Sequence, residues 1–334
     1  MSGAELLRSV RNFRSPMFRI FFASDIHASD VVFRKFLNAG NYYRADALLY
    51  GGDITGKALI FIEKDHDGNY QADFLGSHET ATGEEQLNNL TSRIMDRGYY
   101  YRIMDGADID AVMQSKAEMQ RLMMEEMVRR IEKWLELARG FYSKSTKKIY
   151  LLLGNDDPRE ILEALRKGEN QNIIEVCEKN FLLDGGIEGI GVPFSNITPW
   201  NLPGDLPEEE LQAKIDLLTS KLNDVHTSIF LIHVPPINTA IDEAPLLEDL
   251  KLKVDLTGIK TTHVGSTAVR ATIEKLQPMI SLHGHIHESR GVARIGKTLC
   301  VNPGSEYEQG ILRGAILNID EKSRKLKSHL LVSG

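Results

Sequence analysis

Five short apolar runs, far apart in the chain, each end in residues that can bind a metal: FFASDIH, LLYGGD, YLLLGND, FLIHVPP and ISLHGHIH. Together they supply Asp25, His27, Asp53, Asn155, His233, His285 and His287. Carboxylate, amide oxygen and imidazole form a mixed O/N donor set, which suits Mn, Fe, Zn or Co better than the all-oxygen shell that Mg or Ca prefers. Without a cysteine ligand the set does not describe a thiolate zinc site. Each piece alone is weak, because a lone histidine after a strand is more often a satisfied polar residue than a ligand. The repetition carries the weight: open α/β sheets form their ligand crevice at the C-terminal ends of strands, and all five runs deliver donors there. The natural joint use of the set is to hold two divalent ions.

The elements that must position these residues are partly legible. FRIFFASDIH, DVVFRKFLNAG and ADALLYGGD read as strand, helix and strand. Gly40 is expected just past the helix end, where a left-handed residue is cheapest without a Cβ. Between Asp53 and Asn155 lie roughly a hundred residues, whereas a parallel crossover needs only a dozen or more. ALIFIEK and NYQADFLG around DHDG predict a β-hairpin, and EEQLNNLTSRIMDRG predicts a helix ended by Gly98. One long helix is expected over 109–141, with Val112, Met119, Leu122, Met123, Met127, Val128, Ile131, Trp134, Leu135 and Ala138 along one apolar stripe. Such a Met-rich stripe serves as core or as an adaptable surface. The segment 57–147 is therefore read as an insertion, a cap over the site or a homodimer surface, within a single domain spanning 1–334.

Beyond Asn155, Pro158 suits the start of a helix. Residues 237–264 read as a loop suited to substrate contacts, and Ser266 as a helix cap. The last four strands, RGVARIG, TLCVNPG, GILRGAILNID and SRKLKSHLLVS, read as a meander. With 334 residues, 42% of them hydrophobic, the chain can bury a substantial core. Its 40 basic and 47 acidic residues leave a formal charge of −7, giving no electrostatic footprint for duplex nucleic acid. Cys177 and Cys300 are too few for a disulfide framework and read as reduced core residues. No apolar run reaches the ~18 residues of a membrane span. The N-terminal stretch, with Arg8, Arg11 and Arg14, lacks a secretory apolar region and reads as a short amphipathic lead-in. A cytoplasmic protein with no membrane partner is the expectation.

The order D-x-H, G-D, G-N-x-D, H, G-H-x-H, running from Asp25 to His287, resembles the calcineurin-like metallophosphoesterase superfamily. The stretches GNDDPRE, LHGHIHES and VNPGSEYEQGILRG look most like its small bacterial and archaeal phosphoesterases. Periodicity alone gives only an α/β chain with a mixed sheet. The resemblance implies a four-layer αββα sandwich, two sheets flanked by helices, with the hairpin and helices of the insertion added. It further implies Asp25, His27 and His287 on a first metal, Asn155, His233 and His285 on a second, Asp53 bridging them, and a bridging hydroxide as nucleophile.

One position departs from the superfamily pattern. Its third motif usually carries a histidine where this chain has Asp156, while Asp157 matches the usual acidic residue. Either Asp156 turns away and another group replaces that histidine, or the substrate's leaving group needs little protonation. His263 and His283 are the candidate replacements, and Arg270 and Arg290 are candidates for holding phosphate. The expected activity is metal-dependent hydrolysis of a phosphodiester or phosphomonoester of a small soluble substrate. A non-catalytic metal-binding scaffold and a nuclease are the alternatives.

Overall fold

Strands buried on both faces read as nearly continuous apolar runs, and the ligand-bearing runs are of this kind. The computed structural model describes residues 16–248, 251–252, 254–255 and 258–334. The N-terminal stretch read as an amphipathic lead-in therefore lies largely outside the described residues. The chain opens with β1 (Met17–Ala23), α1 (Asp30–Tyr42) and β2 (Ala47–Gly51). The long excursion supplies β3 (Leu59–Lys64), β4 (Asn69–Phe74), β5 (Ser77–Thr82), α2 (Gly83–Asp96), β6 (Tyr100–Met104), α3 (Gly106–Met113) and α4 (Lys116–Tyr142). It returns through β7 (Lys148–Leu152), α5 (Arg159–Lys167) and β8 (Ile173–Glu175). A second set follows: β9 (Lys179–Leu183), β10 (Ile187–Val192), α6 (Glu208–Thr219), β11 (Ile229–Ile232), α7 (Thr267–Leu276), β12 (Ile280–Leu282), β13 (Gly291–Ile295) and β14 (Thr298–Asn302). β15 (Arg313–Asp320) and β16 (Lys325–Ser333) end the chain.

Two six-stranded sheets result, ordered β16-β15-β1-β2-β7-β8 and β13-β14-β12-β11-β10-β9. Strand alternation sorts their side chains into layers. In the second sheet Ile229, Leu231, Ile280, Leu282, Leu299 and Val301 join the core shared with the first sheet. Their neighbours Phe230, Ile232 and Cys300 instead cluster with Leu211 and Ile215 of α6 and Val269 and Ile273 of α7. On the first sheet Phe21 meets Phe36 of α1, and Phe33 stacks on Trp134 of α4 at 4.1 Å. The order is helices, sheet, sheet, helices: the four-layer sandwich expected. Cys177 and Cys300 are free and buried. Among the described residues no helix is long and apolar enough to cross a membrane.

Several elements differ from the sequence reading. The expected hairpin, β3 with β4, is half of a four-stranded sheet ordered β5-β4-β3-β6, with its own core of Ile62, Ala72, Phe74, Ala81, Leu90 and Ile94. SHETAT, which forms β5, buries only Ala81 and so carries no apolar signal. The long helix is two helices, because Ser115 caps α4, its Oγ accepting from the Glu118 N–H at 3.3 Å. The stripe faces inward: Leu122, Met127, Ile131, Trp134, Leu135 and Ala138 are buried, so a homodimer through this helix would have to use its other face. The expected loop over 237–264 includes a short antiparallel pair, Glu243–Pro245 with Thr261–His263. The final strands are not one meander; β13 and β14 edge the second sheet, and β15 and β16 return to the first. The connection between the two pairs passes the candidate ligands.

Gly40 lies inside α1 rather than after it. A Cβ there would strike the Tyr142 hydroxyl and lie 2.7 Å from Leu48 Cδ1, so the glycine serves the close approach of α1 to the sheet and to α4. Gly140, in α4, has nothing within 4 Å of where its Cβ would be. Urea denaturation is expected to show Gly40→Ala destabilised by about 1–3 kcal/mol. Gly140→Ala is expected to be stabilised by about 0.5–1 kcal/mol. Equal behaviour of the two variants would contradict this packing.

Candidate metal centre

The candidate ligands sit in tight turns after β1, β2, β7, β11 and β12. Asp25, His27, Ala28, Asp53 and His285 have φ of 57°, 44°, 57°, 54° and 68°, a left-handed region that costs a non-glycine residue about 1–2 kcal/mol. Hydrogen bonds between the turns over-determine this backbone: Asp25 N–H to Gly52 O at 2.9 Å, His27 N–H to Asp53 O at 3.1 Å and Ala28 N–H to Ile54 O at 2.9 Å. Tyr50 ties both loops, its hydroxyl accepting from Ile26 N–H at 3.0 Å and donating to Asp53 O at 2.9 Å. From α4, buried Arg130 donates to the carbonyls of Ala28 and Tyr99. At Gly52, with φ +115°, a side chain would meet the His233 ring and the Gly154 backbone.

Two groups of donors meet at one carboxylate. Ligand atoms of Asp25, His27, Asp53 and His287 all lie within 4.8 Å of one another, as do those of Asp53, His233 and His285. Asp53 Oδ2 is 3.7 Å from His27 Nε2, and its Oδ1 is 3.3 Å from His233 Nε2. His287 Nε2 lies 3.1 Å from His27 Nε2 and 3.7 Å from Asp25 Oδ1. The structure thus brings six of the seven candidates into two clusters with Asp53 common to both.

The second layer fixes which atoms are free. His27 Nδ1 faces the Thr55 carbonyl at 3.0 Å and His233 Nδ1 the Gly51 carbonyl at 2.8 Å. A carbonyl only accepts, so each Nδ1 carries a proton; neutral His27 keeps its Nε2 lone pair, and His233 offers its own to a cation once its second proton leaves. Asn155, the seventh candidate, donates from Nδ2 to Asp205 Oδ1 at 2.8 Å, which turns its Oδ1 the other way. Asn155 Oδ1 is buried without a hydrogen-bond partner, and His233 Nε2 has only the Asp53 carboxylate, 3.3 Å away. An orphan of this kind costs roughly 1–3 kcal/mol and fits a site whose natural partner is a cation.

Charge follows the same pattern. Burial opposes ionisation of Asp53, but His233, His27 and His285 hold its carboxyl well below the usual range. Asp25 is also lowered: burial raises it, and His287 and His233 outweigh that. Burial drives His27 down to about 3 and His285 to about 4, so both rings are neutral. His233, despite burial, is pushed up to about 10 by Asp53. The site holds two buried carboxylates and draws positive charge to them.

The other sequence candidates fall differently. Asp156 turns to Lys57, with Oδ2 3.3 Å from Nζ; burial and the Asp53 charge raise its carboxyl. His263 lies at the edge of the loop pair, its Nδ1 2.9 Å from the buried Asp242. His283 is fully buried, with Nδ1 2.9 Å from the Ile232 and Val234 carbonyls; burial pushes it down to about 4. Arg270 is engaged by Glu274 and by the carbonyls of Ile237 and Asn238. Arg290 lines a cleft of about 350 Å³ beside His287, with Ser305, Tyr307 and Arg313.

Sequence reasoning gave no role to three neighbours. Tyr307 packs its ring 4.8 Å from that of His27 and 6.0 Å from that of His287. Lys57 and Arg130 carried no motif signal. Asp157 was matched to a pattern without a function. Its Oδ1 accepts from Thr55 N–H at 2.8 Å and Thr55 Oγ1 at 2.7 Å, and its Oδ2 from Ile54 N–H at 3.1 Å and Gly154 N–H at 2.8 Å. Burial and the Asp53 charge push this carboxyl up to about 7 against the pull of those donors. Asp157→Asn would turn an NH2 group toward one pair of donors. Urea denaturation is expected to register a loss of roughly 1–3 kcal/mol for each donor left unpaired; an unchanged midpoint would contradict the bracing role.

No family model matches the chain. A stretch of 153 residues is 34% identical to the uncharacterized protein MJ1162 of Methanocaldococcus jannaschii, covering 45% of this chain and 61% of that protein. The chain therefore spans less than two thirds of this relative's length. One solved crystal structure is similar at 18% identity and TM-score 0.56, over 95% of this chain and 99% of the other. TT1561 of Thermus thermophilus is similar at 14% identity and TM-score 0.49, over 96% and 99% of the two chains. At 18% identity the first of these likenesses shows the fold alone. The architecture is the four-layer α/β sandwich that the resemblance to the calcineurin-like metallophosphoesterases implies.

Proposed function

We propose that the protein is a metal-dependent phosphohydrolase of the calcineurin-like superfamily, cleaving a phosphodiester or phosphomonoester of a small soluble substrate. The observation that carries this reading is the sharing of Asp53 between two clusters of donors. Asp25, His27 and His287 would hold one divalent ion, and Asn155, His233 and His285 the other. Mn, Fe, Zn or Co suits these donors. When bound, such a pair of ions supplies an activated water and neutralises phosphate oxygens during in-line displacement.

The chain's own residues do the rest. Thr55 and Gly51 carbonyls orient His27 and His233, and Asp205 orients Asn155. The cleft beside His287, about 350 Å³, is of a size for a small substrate, and the net charge of −7 disfavours a polyanion. His263, held by Asp242, is the group to test as proton donor to the leaving oxygen. His283 has no exposed surface and a carbonyl-bound Nδ1, which favours a packing role. An anionic Asp156 beside the donors repels a dianionic monoester more than a monoanionic diester, so the diester is the favoured substrate class. A metal-binding scaffold without catalysis is the second reading, favoured by the aspartate at position 156.

Hydrolysis of nitrophenyl phosphomonoester and bis-nitrophenyl diester by metal-stripped protein reloaded with Mn²⁺ tests the proposal. Diester cleavage is expected to exceed monoester cleavage. Asp53→Asn is expected to lose bound metal and at least about a hundredfold in rate, while Asp156→Ala keeps its metal. Full activity in Asp53→Asn would overturn the bridging role. Two bound ions with neither ester cleaved would favour the scaffold.

A further inference from the structure

The segment after Asp53 is pinned on both sides of one lysine. Before it, the N–H groups of Ile54 and Thr55 donate to Asp157 at 3.1 and 2.8 Å. The N–H of Gly56 donates to the Tyr100 hydroxyl at 2.9 Å. A Cβ at Gly56 would run into the Gly98 carbonyl and lie 2.9 Å from Ala28 Cβ, so the backbone has no slack there. After it, the Ala58 carbonyl accepts from Tyr100 N–H at 3.0 Å, where β3 begins to pair with β6. Lys57 is thus a lysine whose backbone is fixed four residues beyond the shared carboxylate.

Its side chain is committed only in part. Lys57 Nζ lies 3.3 Å from Asp156 Oδ2, the oxygen that is 4.0 Å from His27 Nδ1. Asp156 is itself fixed, its N–H donating to Asp53 Oδ1 at 3.1 Å. The Lys57 side chain remains 56% exposed. Through Asp156 the ammonium stands beside His27 of the first donor cluster. An ammonium has three donors; one directed to Asp156 leaves two for an incoming anion. Three other basic groups nearby are more heavily engaged: Arg270 by Glu274 and two carbonyls, Arg313 by Glu306, and buried Arg130 by Asp30 and two carbonyls; Arg290, on the cleft beside His287, is the exception, but it does not touch Asp156.

We propose that Lys57, oriented by Asp156, binds a non-bridging oxygen of the substrate's phosphate, filling from the other side of an ion pair the place that position 156 leaves open. This inference rests on the phosphohydrolase reading and names the group that completes its site. It lowers the cost of an aspartate beside an anionic substrate: the cation that Asp156 holds offsets part of its charge, and the repulsion that remains still falls hardest on a dianionic monoester. It also gives the inserted sheet a function, since Tyr100 of β6 fixes the backbone on both flanks of Lys57.

The test is calorimetric titration of inorganic phosphate into Mn²⁺-loaded protein, with metal content measured on the same samples and diester kinetics run alongside. Lys57→Met is expected to keep its metal, weaken phosphate binding by about tenfold to a hundredfold and lower kcat/KM by a similar factor. Lys57→Arg is expected to recover most of the phosphate affinity. Phosphate binding unchanged in Lys57→Met, with metal content intact, overturns the proposal, as does a lowered Tm with no change in phosphate affinity. Wild-type protein that cleaves no ester but binds phosphate through Lys57 would sink the hydrolase reading and leave this one standing. Metal-loaded wild type that binds no phosphate overturns the Lys57 role.

Discussion

Two carboxylates, Asp25 and Asp53, are buried together, with ligand atoms within 4.8 Å of each other. Like charges this close, out of water, cannot both stay ionised unless positive charge stands between and around them. His233 and His287 are drawn toward the charged form by them, while buried His27 and His285 stay neutral and keep their lone pairs. The arrangement suits a cation, and the elements around it are organised to keep the two carboxylates where they repel.

That organisation draws on distant parts of the chain. Five left-handed non-glycine residues at the site are held by cross-loop hydrogen bonds, by Tyr50 and by Arg130 from α4. The long helix packs its apolar stripe into the main core and reaches the site with one arginine, so it acts as a brace. The four-stranded sheet does the same through Tyr100. The connection between β14 and β15 brings Ser305, whose hydroxyl donates to the Asp25 carbonyl at 2.6 Å, and Tyr307 against His27. Strain at the candidate ligands is maintained by contacts from residues outside that set, as is common where a backbone must present donors in a fixed geometry.

The ligand runs were legible because chemistry and periodicity coincide in them: apolar strands ending in Asp, His or Asn. The four layers followed from the resemblance those runs carry. What stayed hidden obeys other rules. β5 was invisible because SHETAT buries a single residue. Gly40 looked like a helix terminator, since sequence shows that a Cβ is missing but not what it would have struck. Ser115 carried a capping signal with Glu118 three residues on, yet the apolar stripe running past it favoured one continuous helix. The division of the last four strands between two sheets depends on pairing over long separations, which local pattern does not encode. Lys57 and Tyr307 have ordinary neighbours in sequence and acquire meaning only through what the fold sets beside them.

The central claim is that Asp53 is common to two metal positions. Anomalous diffraction at the manganese edge, from crystals of Mn²⁺-loaded protein, tests it most directly. Two peaks flanking Asp53 are expected, about 3.5–4 Å apart, one among Asp25, His27 and His287 and the other among Asn155, His233 and His285. A single peak, or peaks that leave Asp53 out of contact with either ion, would contradict it.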